Sequence, residues 1–234
     1  ETTATAVRAA VKNGADLIEL GIPFSDPTAE GPVIQEADIR ALSGGVTTDD
    51  IFDMVKKLRE KTEIPLVFMT YLNPVFHYGY EAFFERCQDV GIDGIIIPDL
   101  PFEEKEEVDV VASRYGIDLI SMIAPTSKER IRKIAKGAKG FLYVVSSMGV
   151  TGERTNITTD IGGMLKEIRS VSSVPAAVGF GIHTPDQAAE ISKTADGVIV
   201  GSAVVKLIEK YGSHAGGHLY TYVRMMKETV SHSE

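Results

Sequence analysis

Two carboxylates stand close together in the run Ile18-Glu19-Leu20-Gly21-Ile22-Pro23-Phe24-Ser25-Asp26-Pro27, which continues Thr28-Ala29-Glu30-Gly31-Pro32. Glu19 lies inside an apolar segment that reads as a strand broken at Pro23, and Glu30 falls in the Gly- and Pro-punctuated loop beyond it. Two acids at one end of one strand are equipment for general acid and base chemistry. A carboxyl group in a partly apolar setting has its pKa raised, so it can give a proton and, once ionised, take one. Glu19 by itself reads equally well as a paired structural acid, because buried carboxylates occur where they are partnered. The other strand ends have to decide.

The elements that would position these residues follow a repeating pattern. A helix over residues 4–13 stops at Gly14 and leads into the Glu19 strand. Helices follow over 33–43 and after Thr48, which reads as the N-cap, with Ile51, Met54, Val55 and Leu58 at helical spacing. Apolar strands then begin at Pro65, Gly94, Asp118, Phe141, Pro175 and Gly197, and a helix follows each one. A terminal helix spans 220–230, with Gly216-Gly217 as its hinge. Continuously apolar strands alternating with helices indicate βαβ units and a parallel sheet. About seven strands are one short of a (β/α)8 TIM barrel, and the chain opens on a helix, so the expectation is a single domain over 1–234 whose first strand is missing from this sequence. An open doubly wound sheet is the alternative.

In a parallel barrel the active site lies at the C-terminal strand ends. Here those ends carry Glu19 and Glu30, Tyr71 and Asn73, Asp99, Thr126, the loop Ser147–Arg154, Gly179-Phe180-Gly181, and Gly201-Ser202. None of them holds a lysine, which disfavours a Schiff-base mechanism. The histidines His77, His183, His214, His218 and His232 are scattered, which argues against a His-rich metal site, and only His183 falls near a strand end. Gly152, Gly179-Phe180-Gly181 and Gly201-Ser202 lead towards helices and read together as a phosphate cradle of backbone N–H groups and helix dipoles. The same glycines would also serve as plain tight turns. The loop from Gly149 to Thr155 is longer than a turn needs and reads as a mobile lid or as a connector.

Composition narrows the function classes. The net charge is −9, with 24 basic and 33 acidic residues dispersed along the chain, so a basic nucleic-acid surface is not expected. No apolar run is long enough to cross a bilayer, and the single cysteine, Cys87, rules out an intrachain disulfide. With no signal-like segment, a reducing cytoplasm is expected.

The blocks E-L-G-I-P-F-S-D-P-T-A-E-G-P-V-I-Q, P-D-L-P, G-V-T-G, G-F-G-I and G-S-A, in this order, resemble the tryptophan synthase alpha subunit family over nearly the whole chain. That resemblance implies a (β/α)8 barrel that cleaves indole-3-glycerol phosphate to indole and glyceraldehyde 3-phosphate. It also implies a pyridoxal-phosphate β subunit as partner in an α2β2 heterotetramer, with no metal or organic cofactor in this chain. Glu19 matches the family's catalytic glutamate. Glu30 stands where a second catalytic acid, usually Asp, is found, and is one methylene longer. By the same resemblance Tyr143 and Phe180 line the substrate pocket, Thr151 belongs to the lid, and Gly152, Gly181, Gly201 and Ser202 hold the phosphate. If the polypeptide truly begins at Glu1, the resemblance implies a compromised barrel and low activity.

Two other readings use the same residues. One is a different phosphosugar barrel enzyme, which usually needs a Lys or His at a strand end. The other is a non-catalytic activator docking a β-type partner through Asn73-Pro74 and Asp99-Leu100-Pro101.

Overall fold

A computed structural model describes residues 1–146, 160–179 and 181–231. The chain divides into two compact units. The first comprises Glu1–Ala15, Glu30–Ile34 and Ser121–Glu234, and the second comprises Asp16–Ala29 and Gln35–Ile120.

The second unit is built on a parallel sheet in the order β1 (Ile18–Gly21), β2 (Leu66–Met69), β3 (Gly94–Ile96) and β4 (Asp118–Leu119). Helix α3 (Thr48–Arg59) packs on α5 (Tyr80–Val90), which also meets α6 (Glu106–Arg114). The core is aromatic: Phe52 meets Phe68 at 5.6 Å and Phe83 at 5.4 Å between ring centroids, both edge-on, and Phe83 meets Phe84 at 5.4 Å. Edge-to-face geometry adds about 0.5–1.5 kcal/mol per pair beyond the area buried. Cys87 is buried on the same face of α5, and burial pushes its thiol pKa up, so it behaves as a small apolar residue.

The first unit is built on a parallel sheet in the order β5 (Ser121–Ile123), β6 (Leu142–Val145), β7 (Ala176–Gly179) and β8 (Gly197–Val198). Around it lie α7 (Lys128–Lys136), α8 (Ile161–Arg169), α9 (Pro185–Ser192) and α10 (Ser202–Tyr211), with α11 (Ala215–Ser231) packed on both α1 (Thr2–Lys12) and α9. Two of its strands, Leu-Tyr-Val-Val and Ala-Ala-Val-Gly, are aliphatic apart from Tyr143 and Gly179. Glu167 on α8 is a buried acid accounted for by two cations, with Lys128 Nζ at 3.1 Å and Arg132 Nη2 at 2.6 Å.

The strand expected over Asp118–Ala124 is divided: Asp118–Leu119 pair with β3, and Ser121–Ile123 pair with β6. The eight pairing segments among the described residues thus correspond to the seven strands expected from sequence.

Three local expectations are corrected. The cap of α3 is Thr47, not Thr48: its hydroxyl accepts from the Asp50 N–H while the Asp50 carboxylate accepts from the Thr47 N–H, a capping box that needs the acid three positions on. Asn73-Pro74 does not end a strand but lies in the first turn of a short helix, α4 (Leu72–Tyr78), where proline forfeits no intrahelical bond. Gly216-Gly217 is no hinge, since α11 begins at Ala215 and runs through both. A Cβ on Gly216 would meet Thr5 Cγ2 at 3.4 Å, so the small residue permits the close approach of α1.

The strands are stitched at their N-terminal ends by the same device in both units. Asp93, just before β3, accepts from the Leu66 N–H that opens β2 and pairs with Arg59 at the end of α3. Asp196, just before β8, accepts from the Ala176 N–H that opens β7 and pairs with Arg169 at the end of α8. The Pro65 carbonyl accepts from Ile18 at 3.0 Å, and the Pro175 carbonyl accepts from Leu142 at 2.8 Å.

Candidate active site

Glu19 is the second residue of β1, paired in register with Val67, and is half-buried. The loop that leaves this strand is tied to the end of β2. Ile22 N–H donates to the Met69 carbonyl at 2.9 Å, the buried Thr70 hydroxyl donates to the Ile22 carbonyl at 3.2 Å, and the Ala29 N–H donates to the Tyr71 hydroxyl at 2.9 Å. Phe24 packs on the Tyr71 ring at 5.6 Å. Between the two acids, then, the backbone is held by Thr70 and Tyr71 and is not a free excursion. Glu30 itself is only 4% exposed and stands two residues before the start of α2 (Pro32–Ser43). The Asp99 carboxylate accepts from the Leu72 N–H at 2.9 Å, so this strand-end acid fixes the start of α4.

In the first unit, Tyr143 on β6 is buried and lies against β7. A Cβ built on Gly179 would come within 2.6 Å of the Tyr143 hydroxyl and 2.8 Å of its ring, so Gly179 is glycine because the tyrosine lies across it. Two residues on, Gly181 has φ +88°, a conformation that side chains resist.

Beyond β8, Gly201 is the N-cap of α10 and Ser202 its first residue. Among the described residues no side chain caps this helix, and none of their atoms lies within 4 Å of a Cβ built on Gly201. A helix that starts on glycine keeps its first N–H groups free of a capping side chain of its own N-cap residue, the kind of start at which anions bind. The start of α9 differs, since it is sealed by a Thr184–Gln187 capping box.

The sequence-derived residues thus fall in both units: Glu19 in the second, and Glu30, Tyr143, Gly181, Gly201 and Ser202 in the first. Thr151, Gly152, Phe180 and the expected lid at 149–155 lie outside the described residues. Among the described residues no group of three or more His, Cys, Asp or Glu side chains is placed to hold a metal ion. No helix among them is long and apolar enough to cross a membrane. Sequence reasoning gave no role to Thr70, Gln187 or Tyr222. The Thr184-x-x-Gln187 spacing is a capping-box signature that could have revealed Gln187.

The family model for the tryptophan synthase alpha chain matches residues 1–231. The chain belongs to the tryptophan synthase alpha chain family. The alpha chain of Lacticaseibacillus casei is 51% identical over 98% of this chain and 86% of its own length, and that of Lactiplantibacillus plantarum is 50% identical over 98% and 87%. Among solved structures, tryptophan synthase subunit alpha from Legionella pneumophila superposes with a TM-score of 0.88 at 38% identity, covering 98% of this chain and 87% of that one. A chain of the tryptophan synthase complex from Pyrococcus furiosus gives a TM-score of 0.89 at 34% identity, covering 97% and 92%. With the family come the (β/α)8 barrel fold class and the alpha-subunit function: the protein is a lyase of tryptophan biosynthesis.

Proposed function

We propose that this alpha-family lyase cleaves indole-3-glycerol phosphate by a retro-aldol reaction in which Glu19 handles the protons and Glu30 stabilises charge. The observation that carries the reading is the placement of Glu19 on β1, half-buried beside an apolar neighbour strand and followed by a loop pinned to β2 that ends at the buried Glu30. Glu167 on α8, also a buried acid, pairs with Lys128 and Arg132 on α7 and has a structural role.

In the proposed mechanism a carboxyl group protonates the ring carbon that bears the glycerol chain. Removal of the proton from the adjacent hydroxyl then lets the carbon–carbon bond break. Its electron pair returns to the ring as indole forms, and the alkoxide carbon becomes the aldehyde of glyceraldehyde 3-phosphate. Glu19 is the group we assign to these transfers. Glu30 would accept the indole N–H and offset the positive charge on the protonated ring. Its side chain is one methylene longer than the aspartate that the resemblance implies at this position. The uncapped start of α10 at Gly201-Ser202 and the Gly181 turn would hold the phosphate, while Tyr143 would line the pocket wall. Gly152, Thr151 and Phe180 take the phosphate, lid and indole-packing roles that the resemblance implies. Neither metal nor organic cofactor is needed in this chain. Pyridoxal phosphate belongs to the β partner, with which an α2β2 assembly in the cytoplasm is proposed. Assembly of this kind is described for the Pyrococcus furiosus a2b2 complex.

The test is indole release from indole-3-glycerol phosphate by the wild type, Glu19→Gln and Glu30→Gln, each with and without a β partner. Retained release by Glu19→Gln would sink the acid–base assignment. Stimulation of the β partner without any indole release would favour the activator reading instead.

A further inference from the structure

The turn after β7 is held by side chains to which no step of the proposed reaction has yet given a role. Gly181 sits at φ +88°, and its carbonyl oxygen lies 2.9 Å from His183 Nδ1. A carbonyl can only accept, so Nδ1 carries the proton in this contact. The main chain of His183 is fixed on both sides. Its N–H donates to Gln187 Oε1 at 3.0 Å, an oxygen that also accepts from the Thr184 N–H at 3.2 Å. Its carbonyl accepts at 2.9 Å from the Tyr222 hydroxyl, which reaches across from α11. A left-handed glycine has no side chain to restrict it and loses more conformational freedom on ordering than any other residue. What holds this turn in one shape is therefore the His183 ring, the Gln187 amide and the Tyr222 hydroxyl. An anion gripped by backbone N–H groups gains most when those groups are oriented before it arrives.

We propose that His183 and Tyr222 are positioning residues for phosphate recognition: the imidazole pins the Gly181 carbonyl, the phenol pins the His183 carbonyl, and helix α11 thereby sets the affinity for the substrate's phosphate. This rests on the reading that Gly181 and Gly201 hold that phosphate. Neither side chain needs to touch the reacting atoms. Their loss therefore weakens binding of the phosphate end and leaves the proton transfers intact.

The experiment measures KM and kcat for indole-3-glycerol phosphate together with the affinities of two probes, glycerol 3-phosphate and indole, in the complete enzyme. His183→Ala is expected to raise KM and weaken glycerol 3-phosphate by about tenfold, the size of one net hydrogen bond, with kcat within about twofold. Indole affinity should not change. His183→Asn, which keeps a donor near the Nδ1 position, should recover most of the loss, and His183→Gln, which moves the donor outwards, should not. Tyr222→Phe is expected to weaken glycerol 3-phosphate by about threefold. Unchanged glycerol 3-phosphate affinity in His183→Ala, or a loss that strikes indole and kcat equally, overturns the proposal. Gly201→Val separates the two levels, because its side chain would enter space at the start of α10 that no described atom fills within 4 Å of the Cβ. If Gly201→Val binds glycerol 3-phosphate normally, the phosphate reading itself falls. If only Gly201→Val loses it, the reading stands and the positioning roles fall.

Discussion

The two units are built alike at their N-terminal strand ends, the floor of each sheet, and differ at their C-terminal ends, its mouth. At the N-terminal strand ends, Arg59–Asp93 and Arg169–Asp196 make the same contacts with the same strand-opening amides, and the same spacing separates each arginine from the proline ahead of its strand. The equivalence continues along the strands: Ile18 and Leu142 donate to the two prolines, which puts Glu19 and Tyr143 at corresponding positions on β1 and β6. Ile22 donates to Met69 in one unit as Ser146 donates to Gly179 in the other, at 2.9 and 3.1 Å. One frame therefore carries a glutamate beside a strand that ends in methionine and a tyrosine beside one that ends in glycine. In α/β barrels the floor serves stability and the C-terminal ends serve chemistry. The comparison shows how little of the frame has to change to place different tools.

The largest effect is expected where the frames differ most. Glu19→Gln should lower kcat for indole release by about 10²–10⁴, the usual worth of a positioned acid–base group, with thermal stability unchanged. A similar loss from a substitution at a floor residue would erase the distinction. Gly179→Ala tests the other mouth: with Tyr143 already in contact, the added methyl should cost about 1–3 kcal/mol of stability or displace the ring, and the denaturant midpoint together with KM would show which.

The floors, though alike, should not be equal. Arg59 also donates to the Gly91 carbonyl at 2.7 Å and the Ile64 carbonyl at 2.6 Å, and its side chain is 18% exposed against 52% for Arg169. Arg59→Ala is expected to cost about 2–3 kcal/mol in urea unfolding, and Arg169→Ala less than about 1 kcal/mol, with kcat retained in both. Equal losses would mean that the extra carbonyl contacts contribute nothing.

The smallest effect concerns acid. The Lys128 hydrogen bond holds the Glu167 carboxyl below its ordinary pKa, burial opposes this shift, and Arg132 adds to it. A pKa lowered by folding contributes stability that is present above the ordinary glutamate range and lost as pH falls through the lowered value. The stability difference between wild type and Glu167→Gln should therefore shrink between about pH 5 and pH 3. A difference that persists below that window would mean that packing, not charge, is what Glu167 supplies.

Local signals were legible in the sequence where one residue type has one physical use. Gly91 closing α5, the acid-bearing strand and the apolar strand–helix alternation all appear where periodicity and capping chemistry placed them. Errors arose where two uses compete. Pro74 reads as a breaker yet is tolerated in a first helical turn, Thr47 and Thr48 differ as caps only through Asp50, and Gly216-Gly217 reads as a hinge unless one knows that α1 lies against it.

By itself the sequence determined the βα order, the acid pair, the glycine-ended strands and the family, because these depend on residue type and spacing along the chain. Only the tertiary structure decided that Tyr71 and Thr70 anchor the acid loop, that Tyr143 is the reason for Gly179, and that a tyrosine on the last helix holds the turn at Gly181. Those contacts join residues far apart in the chain, and their hydrogen-bond geometry leaves no period or motif in the order of the amino acids.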